Sequence, residues 1–304
     1  MNAINKTISA LAISTLTLAL AGCNSSGNGT GTVTLDVNST TTAATRSGTV
    51  STLALINPTA PVINSDSTPA GTITLSEAWI VVKEIELEHE DDYSDDAQED
   101  LDLDDDSEKV EFIGPFVIDL LSGQSYPTLP EITVDTGIYT DIEMDIEKLD
   151  VNDLVGIGDL PGDLETTLQT YSMYLSGFYT SEDGATHVDV PFDLMYDQTD
   201  EFEFSGADFA SGFMVNDSGI NDIIVSFRML NWFVFNNPET NNGATVDFNT
   251  NIVLVNGSLI LDGNTNNILM DIIEDNIEDS AEYGEDEDDD GILDEDEDDD
   301  SDHS

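Results

Sequence analysis

Residues 138–147 constrain the fold more than any other stretch of this chain. They read Ile-Tyr-Thr-Asp-Ile-Glu-Met-Asp-Ile-Glu. Ile138, Thr140, Ile142, Met144 and Ile146 fall on one side, and Asp141, Glu143, Asp145 and Glu147 fall on the other. A period of two sustained over this length is the signature of a strand with one buried and one wetted face, and no helix can satisfy it. Residues 72–88 repeat the pattern. There Val81, Lys83, Ile85 and Leu87 oppose Glu84, Glu86 and Glu88.

Shorter alternating runs extend the reading. Val33, Leu35 and Val37 mark a strand at 31–37, and 50–56 is a further candidate. Phe112, Phe116 and Ile118 alternate around Gly114-Pro115 in 110–121. Runs at 170–179 and 187–195 form a hairpin about the turn at 181–184. Short strands are expected at 201–204 and 212–215. Ile223, Val225, Phe227 and Met229 share one face of 222–235. A last hairpin joins 245–255 to 258–261 through Asn256-Gly257, a dipeptide suited to tight hairpin turns. The period changes after Asn266, where Leu269, Ile272, Ile273 and Ile277 form a helical stripe with an Asn as cap. Many short strands, turn signals between them and one short C-terminal helix predict a mainly β protein, an antiparallel β-sandwich.

Charge divides this body from its surroundings. With 65 acidic and 6 basic residues, the chain carries a formal charge of -59. Such a surface repels nucleic acid and anionic headgroups and attracts cations, so nucleic-acid binding is excluded. Residues 90–108 and the last twenty residues are too acidic to join a core. The expected organisation is a signal segment at 1–22, a tether at 23–30, and a β domain at 31–265 with an acidic loop at 89–109. A helix at 266–283 and an acidic tail at 284–304 complete it.

The signal segment has Lys6, then an apolar run from Ile8 to Ala21, too short for a comfortable membrane span. It closes on Leu20-Ala21-Gly22-Cys23, which holds the sole cysteine. These four residues resemble a bacterial lipobox. The resemblance implies that Cys23 is acylated and becomes the mature N-terminus. Asn24 in the next position implies an outer-membrane, lipid-anchored location. The lipobox, Ile118-Asp119-Leu120-Leu121 and Gly137-Ile138-Tyr139-Thr140-Asp141-Ile142-Glu143-Met144 together resemble an uncharacterised family of bacterial lipoproteins. The likeness spans roughly residues 70–150 and implies an immunoglobulin-like domain of unknown function.

The most definite ligand pattern lies in the tail. Asp286, Asp288 and Asp290, followed by Gly291 and then Glu297, have the spacing of a twelve-residue calcium loop. Ile292 would supply a backbone carbonyl, and Asp294 a direct or water-mediated oxygen. The alternating acids at 84–88 and 141–147 are read as outward faces on separate sheets. His187 and Asp189 are read as an exposed pair on one strand face. Trp232, Phe233 and Phe235 are read as core, with a sugar-stacking surface as the alternative. Among catalytic signatures, no Gly-x-Ser-x-Gly elbow, His-Glu-x-x-His pair or phosphate-cradling loop occurs. The sequence therefore predicts a non-enzymatic envelope lipoprotein. Its partners would be the membrane, through the lipid, and divalent cations, with calcium as the bound ion. A carbohydrate-binding or carbohydrate-processing protein is the alternative.

Overall fold

The computed structural model describes residues 29–39, 58–89, 109–205, 213–217, 220–238, 240–241 and 243–285. Cys23, the strand candidate at 50–56, residues 90–108 of the expected acidic loop and the calcium-loop residues lie outside them. In chain order the first strands are β1 (Thr30–Ser39), β2 (Thr59–Ile63), β3 (Pro69–His89), β4 (Val110–Asp119), β5 (Gln124–Tyr126), β6 (Ile132–Asp135) and β7 (Gly137–Ile146). A helical turn, α1 (Leu164–Leu168), precedes β8 (Met173–Ser181), β9 (Val190–Tyr196), β10 (Asp200–Ser205), β11 (Phe213–Val215) and β12 (Ile220–Phe227). The remainder comprises α2 (Phe248–Asn251), β13 (Leu254–Val255), β14 (Ser258–Leu261), α3 (Asn267–Glu278) and β15 (Ala281–Glu285).

The protein is mainly β, and its strands form two open sheets. The smaller has the order β15-β12-β1-β6, and the larger runs β10-β7-β3-β8-β9-β14-β13, with β2, β4, β5 and β11 paired alongside. Pairing is mostly antiparallel, as the alternating strands predict, but β1 with β12 and β14 with β9 are parallel. Val33, Leu35 and Val37 of β1 and Ile223, Val225 and Phe227 of β12 share one buried core with the inner face of β3. Each fully buried Val, Leu or Phe contributes roughly 1.5–3 kcal/mol.

β3 is the spine. One of its edges takes β2 and then β4, and the other takes β8 and then β7. A strand of this length stays on one core by changing phase. Its register shifts between Leu75 and Glu77 and again between Val82 and Glu84. The inward residues are accordingly Ile73 and Leu75, then Ala78, Ile80 and Val82, then Ile85 and Leu87. Each bulge inserts one extra residue and flips the alternation. Simple period two puts Val81 and Lys83 inward with Ile85, and the bulge at Lys83 corrects both. Val81 faces the opposite side, and the Lys83 ammonium pairs with Asp153.

That opposite side has a small core of its own. Trp79, Val81 and Val117 pack against Leu149, Ile157, Leu164 and Leu168. The segment at 150–164 thus supplies a cover that leads into α1.

Other expectations shift at the C-terminal end. Asn256 (φ 52°) and Gly257 (φ 90°) make the predicted turn between β13 and β14. The expected long partner strand is instead α2 followed by two paired residues. The predicted helix at 266–283 ends at Glu278, and the chain then turns into β15, an edge strand against β12. Asn266 precedes α3 but does not cap it through its side chain. Its amide instead donates to the carbonyls of Val253 and Ile260. The described residues therefore hold three helices, not one.

Candidate functional site

The acidic stretches at 84–88 and 141–147 lie on adjacent strands of one sheet. β3 pairs with β7 so that Glu84 stands opposite Asp145, Glu86 opposite Glu143 and Glu88 opposite Asp141. This corrects the expectation of separate sheets. Period two reports which face a residue takes and carries no information about which strand lies beside it.

The bulge at Lys83 sets this register. It turns Ile85 and Leu87 inward and leaves Glu84, Glu86 and Glu88 on the outer face. On β7, a further shift skips Thr140, so Tyr139 takes the inward place predicted for Ile138 and Thr140. β4 adds Glu111 opposite Glu86. The backbone of β10 continues the ladder, with Glu201 in register with Asp145 and Glu203 with Glu143.

Carboxylates directly opposite one another in a sheet repel. The burden is visible on Glu84, whose carboxyl is held above its usual range by partial burial first, then by Glu111, Glu86 and Asp145. Lys109 answers part of the charge. Its Nζ lies 2.8 Å from Glu86 and 3.7 Å from Glu143, bridging two strands. The ammonium is raised above its usual range, chiefly by the bond to Glu86 and then by the charge of Glu143.

Glu84, Glu86 and Glu111 bring one carboxylate oxygen each within 4.8 Å of one another. Oxygens so grouped can converge on a hard cation, which prefers several carboxylate ligands at roughly 2.3–2.6 Å. Sequence reasoning missed Lys109 and Glu111. Their signal was the alternation of Lys109 and Glu111 with Val110 and Phe112 immediately after the acidic run.

A second carboxylate group flanks α3. Glu274 is pushed up to about 7, by burial first and then by Asp271, Asp200, Asp197 and Asp275. Glu278 and Asp275 are raised in the same way.

The remaining candidates separate clearly. Trp232, Phe233 and Phe235 are fully buried, and the Trp232 indole N–H donates to Ser280 Oγ at 2.6 Å. They belong to the core and offer no stacking surface. His187 and Asp189 lie before β9 rather than on a strand face, and Asp189 has φ 48°. Cys23, Asp286, Asp288, Asp290, Ile292, Asp294 and Glu297 lie outside the described residues. Among the described residues no helix is long and apolar enough to cross a membrane. Comparison with known proteins finds no family model, curated relative or solved structure that matches this chain.

Proposed function

We propose that this chain is a lipid-anchored, non-enzymatic module of the bacterial outer membrane that gathers divalent cations, calcium first. The observation that carries the reading is the in-register stack of acids across β3 and β7, with Glu111 beside it and Lys109 as its bridging cation. A sheet that places like charges opposite each other is stabilised by counter-ions from the medium. The trio of Glu84, Glu86 and Glu111 is the seat we assign to one calcium ion. The tail loop at 286–297 is a second. The lipobox at Leu20 to Cys23 supports the anchor, and the two sheets with a shared core support an immunoglobulin-like sandwich as the displayed body. The carbohydrate alternative loses its platform with the burial of Trp232.

Thermal unfolding of the full chain in calcium chloride and sodium chloride at matched ionic strength tests the reading. Calcium should raise Tm further than sodium, and Glu84→Gln, Glu86→Gln and Glu111→Gln together should remove part of the difference. Asp286→Asn with Asp288→Asn should remove the rest. Equal effects of the two salts would assign the acidity to salt adaptation instead.

A further inference from the structure

The described fold begins at Gly29, whose carbonyl accepts from the Thr136 N–H at 2.8 Å. On its other side, an added Cβ would stand 3.2 Å from the β-carbon of Asp217. The chain therefore enters between the β6–β7 turn and the end of β11. Gly31 is held in the same place, where a side chain would collide with the Asn216 carbonyl at 2.4 Å and with Val215 at 2.6 Å. Asn221 of β12 ties these segments together. Its amide donates to the Thr32 carbonyl at 3.0 Å, and its side-chain oxygen accepts from the Asn216 N–H at 3.2 Å. The entry of β1 is thus fixed by β7, β11 and β12 at once.

The side chains that point outward around this entry include Ile138, Met214 and Ile220. Met214 is in register with Ile138, and Ile220 with Thr32. Phe213, Val215 and Tyr139 take the buried places between them, which leaves Met214 46% exposed. Ile220 is 56% exposed, and Ile138 is half-buried. The neighbourhood is also short of charge. No charged residue occurs from Cys23 to Leu35, although the whole chain carries -59. Asp135 and Asp217 are the acids that border it.

We infer that Ile138, Met214 and Ile220, around the entry of β1, form the surface on which the body rests against the membrane, and that zwitterionic lipid is what it meets. This rests on the anchored reading, in which Cys23 carries the lipid. Cys23 and Gly29 are six peptide bonds apart, a span of at most about 22 Å. β13, at the far edge of the larger sheet, lies five strands from β7, about 24 Å along the sheet. The anchor therefore holds the entry near the bilayer and leaves that edge farther off. Apolar side chains held at a bilayer surface are stabilised by entering the boundary between headgroups and acyl chains. Zwitterionic headgroups present an ammonium that Asp135 and Asp217 can meet, whereas anionic headgroups would repel them.

Cys23 is the sole cysteine, so once its thiol is acylated a cysteine introduced elsewhere takes a label alone. Met214→Cys, Ile220→Cys and, as the remote site, Val253→Cys beside β13 each receive an environment-sensitive fluorophore. The lipidated chain is then placed in phosphatidylcholine vesicles. Emission from positions 214 and 220 should shift to the blue, and a lipid-borne quencher should act on them several-fold more strongly than on position 253. Vesicles rich in phosphatidylglycerol should reduce that contrast at low salt. Equal quenching at all three positions of acylated, vesicle-bound protein would overturn the orientation and leave the anchor standing. A Cys23 without an acyl chain, read by mass spectrometry, would overturn the anchor and the orientation with it.

Discussion

Glu86 and Glu143 stand opposite each other on β3 and β7 and share one ammonium between them. The rungs on either side, Glu84 with Asp145 and Glu88 with Asp141, have no bridging cation among the described residues, although the charge of Glu88 is felt at Lys109. The outer face therefore combines one bridged repulsion with two unbridged ones among the described residues.

Asp145→Asn should stabilise the fold in dilute buffer, by roughly 0.2–1 kcal/mol, because it relieves a like-charge pair directly across the ladder. The gain should fade in concentrated salt, where the screening length drops to ~3 Å at 1 M. Chemical denaturation at both ionic strengths checks it.

Lys109→Gln should act in the opposite direction. Removing the shared cation leaves Glu86 and Glu143 facing each other, so Tm should fall at low salt and recover as salt is added. Paired melts of wild type and variant across a sodium chloride series give the comparison. A salt-independent loss would mean that the lysine acts by packing its stem.

Glu274 gives the fold a pH dependence of defined sign. Its carboxyl is held up to about 7 against an ordinary value of 4.5, so the folded state favours the proton. The associated stability is fully present below about 4.5 and is lost as pH rises through about 7. Tm should fall between pH 5.5 and 8, and Glu274→Gln should flatten that slope.

Much of this architecture was legible in the sequence, and the limits have a common physical origin. Alternation located β1, β3, β4, β7, β8 and β9 because each has one face in the core. A binary pattern registers two faces and assumes an unbroken phase. The extra residues at Ser76, Lys83 and Thr140 break that phase, and nothing in their chemistry announces it. Lys83 and Val81 were therefore set on the wrong side. Neighbour identity is equally silent. The residues that place Glu84 beside Asp145 belong to the whole sheet, so the acidic stretches were separated when they belong together. Near Phe248, alternation leading into a short helical turn that packs one aromatic ring imitates a strand. His89 was grouped with the acids that follow it, although its ring lies over Gly137, which is remote in sequence.

Trp232→Ala should cost about 3–5 kcal/mol, the range for emptying a large aromatic site in a core. Its indole N–H is satisfied by Ser280, and its ring lies 6.2 Å from that of Phe227. Emission from the wild-type protein should not respond to added oligosaccharides at this position. Urea denaturation and a fluorescence titration comparing wild type with Trp232→Phe measure the two claims.

β1 is the earliest strand of the described fold, yet its partners come late. It lies between β6 and β12, and the hydroxyl of Thr34 reaches Asp222 across 188 positions of sequence. Closing a loop of that length costs about 4–5 kcal/mol of chain entropy before any contact repays it. A chain that emerges from its N-terminal end must therefore hold Val33, Leu35 and Val37 unsheltered until β12 has followed. Completion of the smaller sheet is consequently a late event, and the time spent waiting for it is when this otherwise strongly charged polypeptide is most exposed to misassociation.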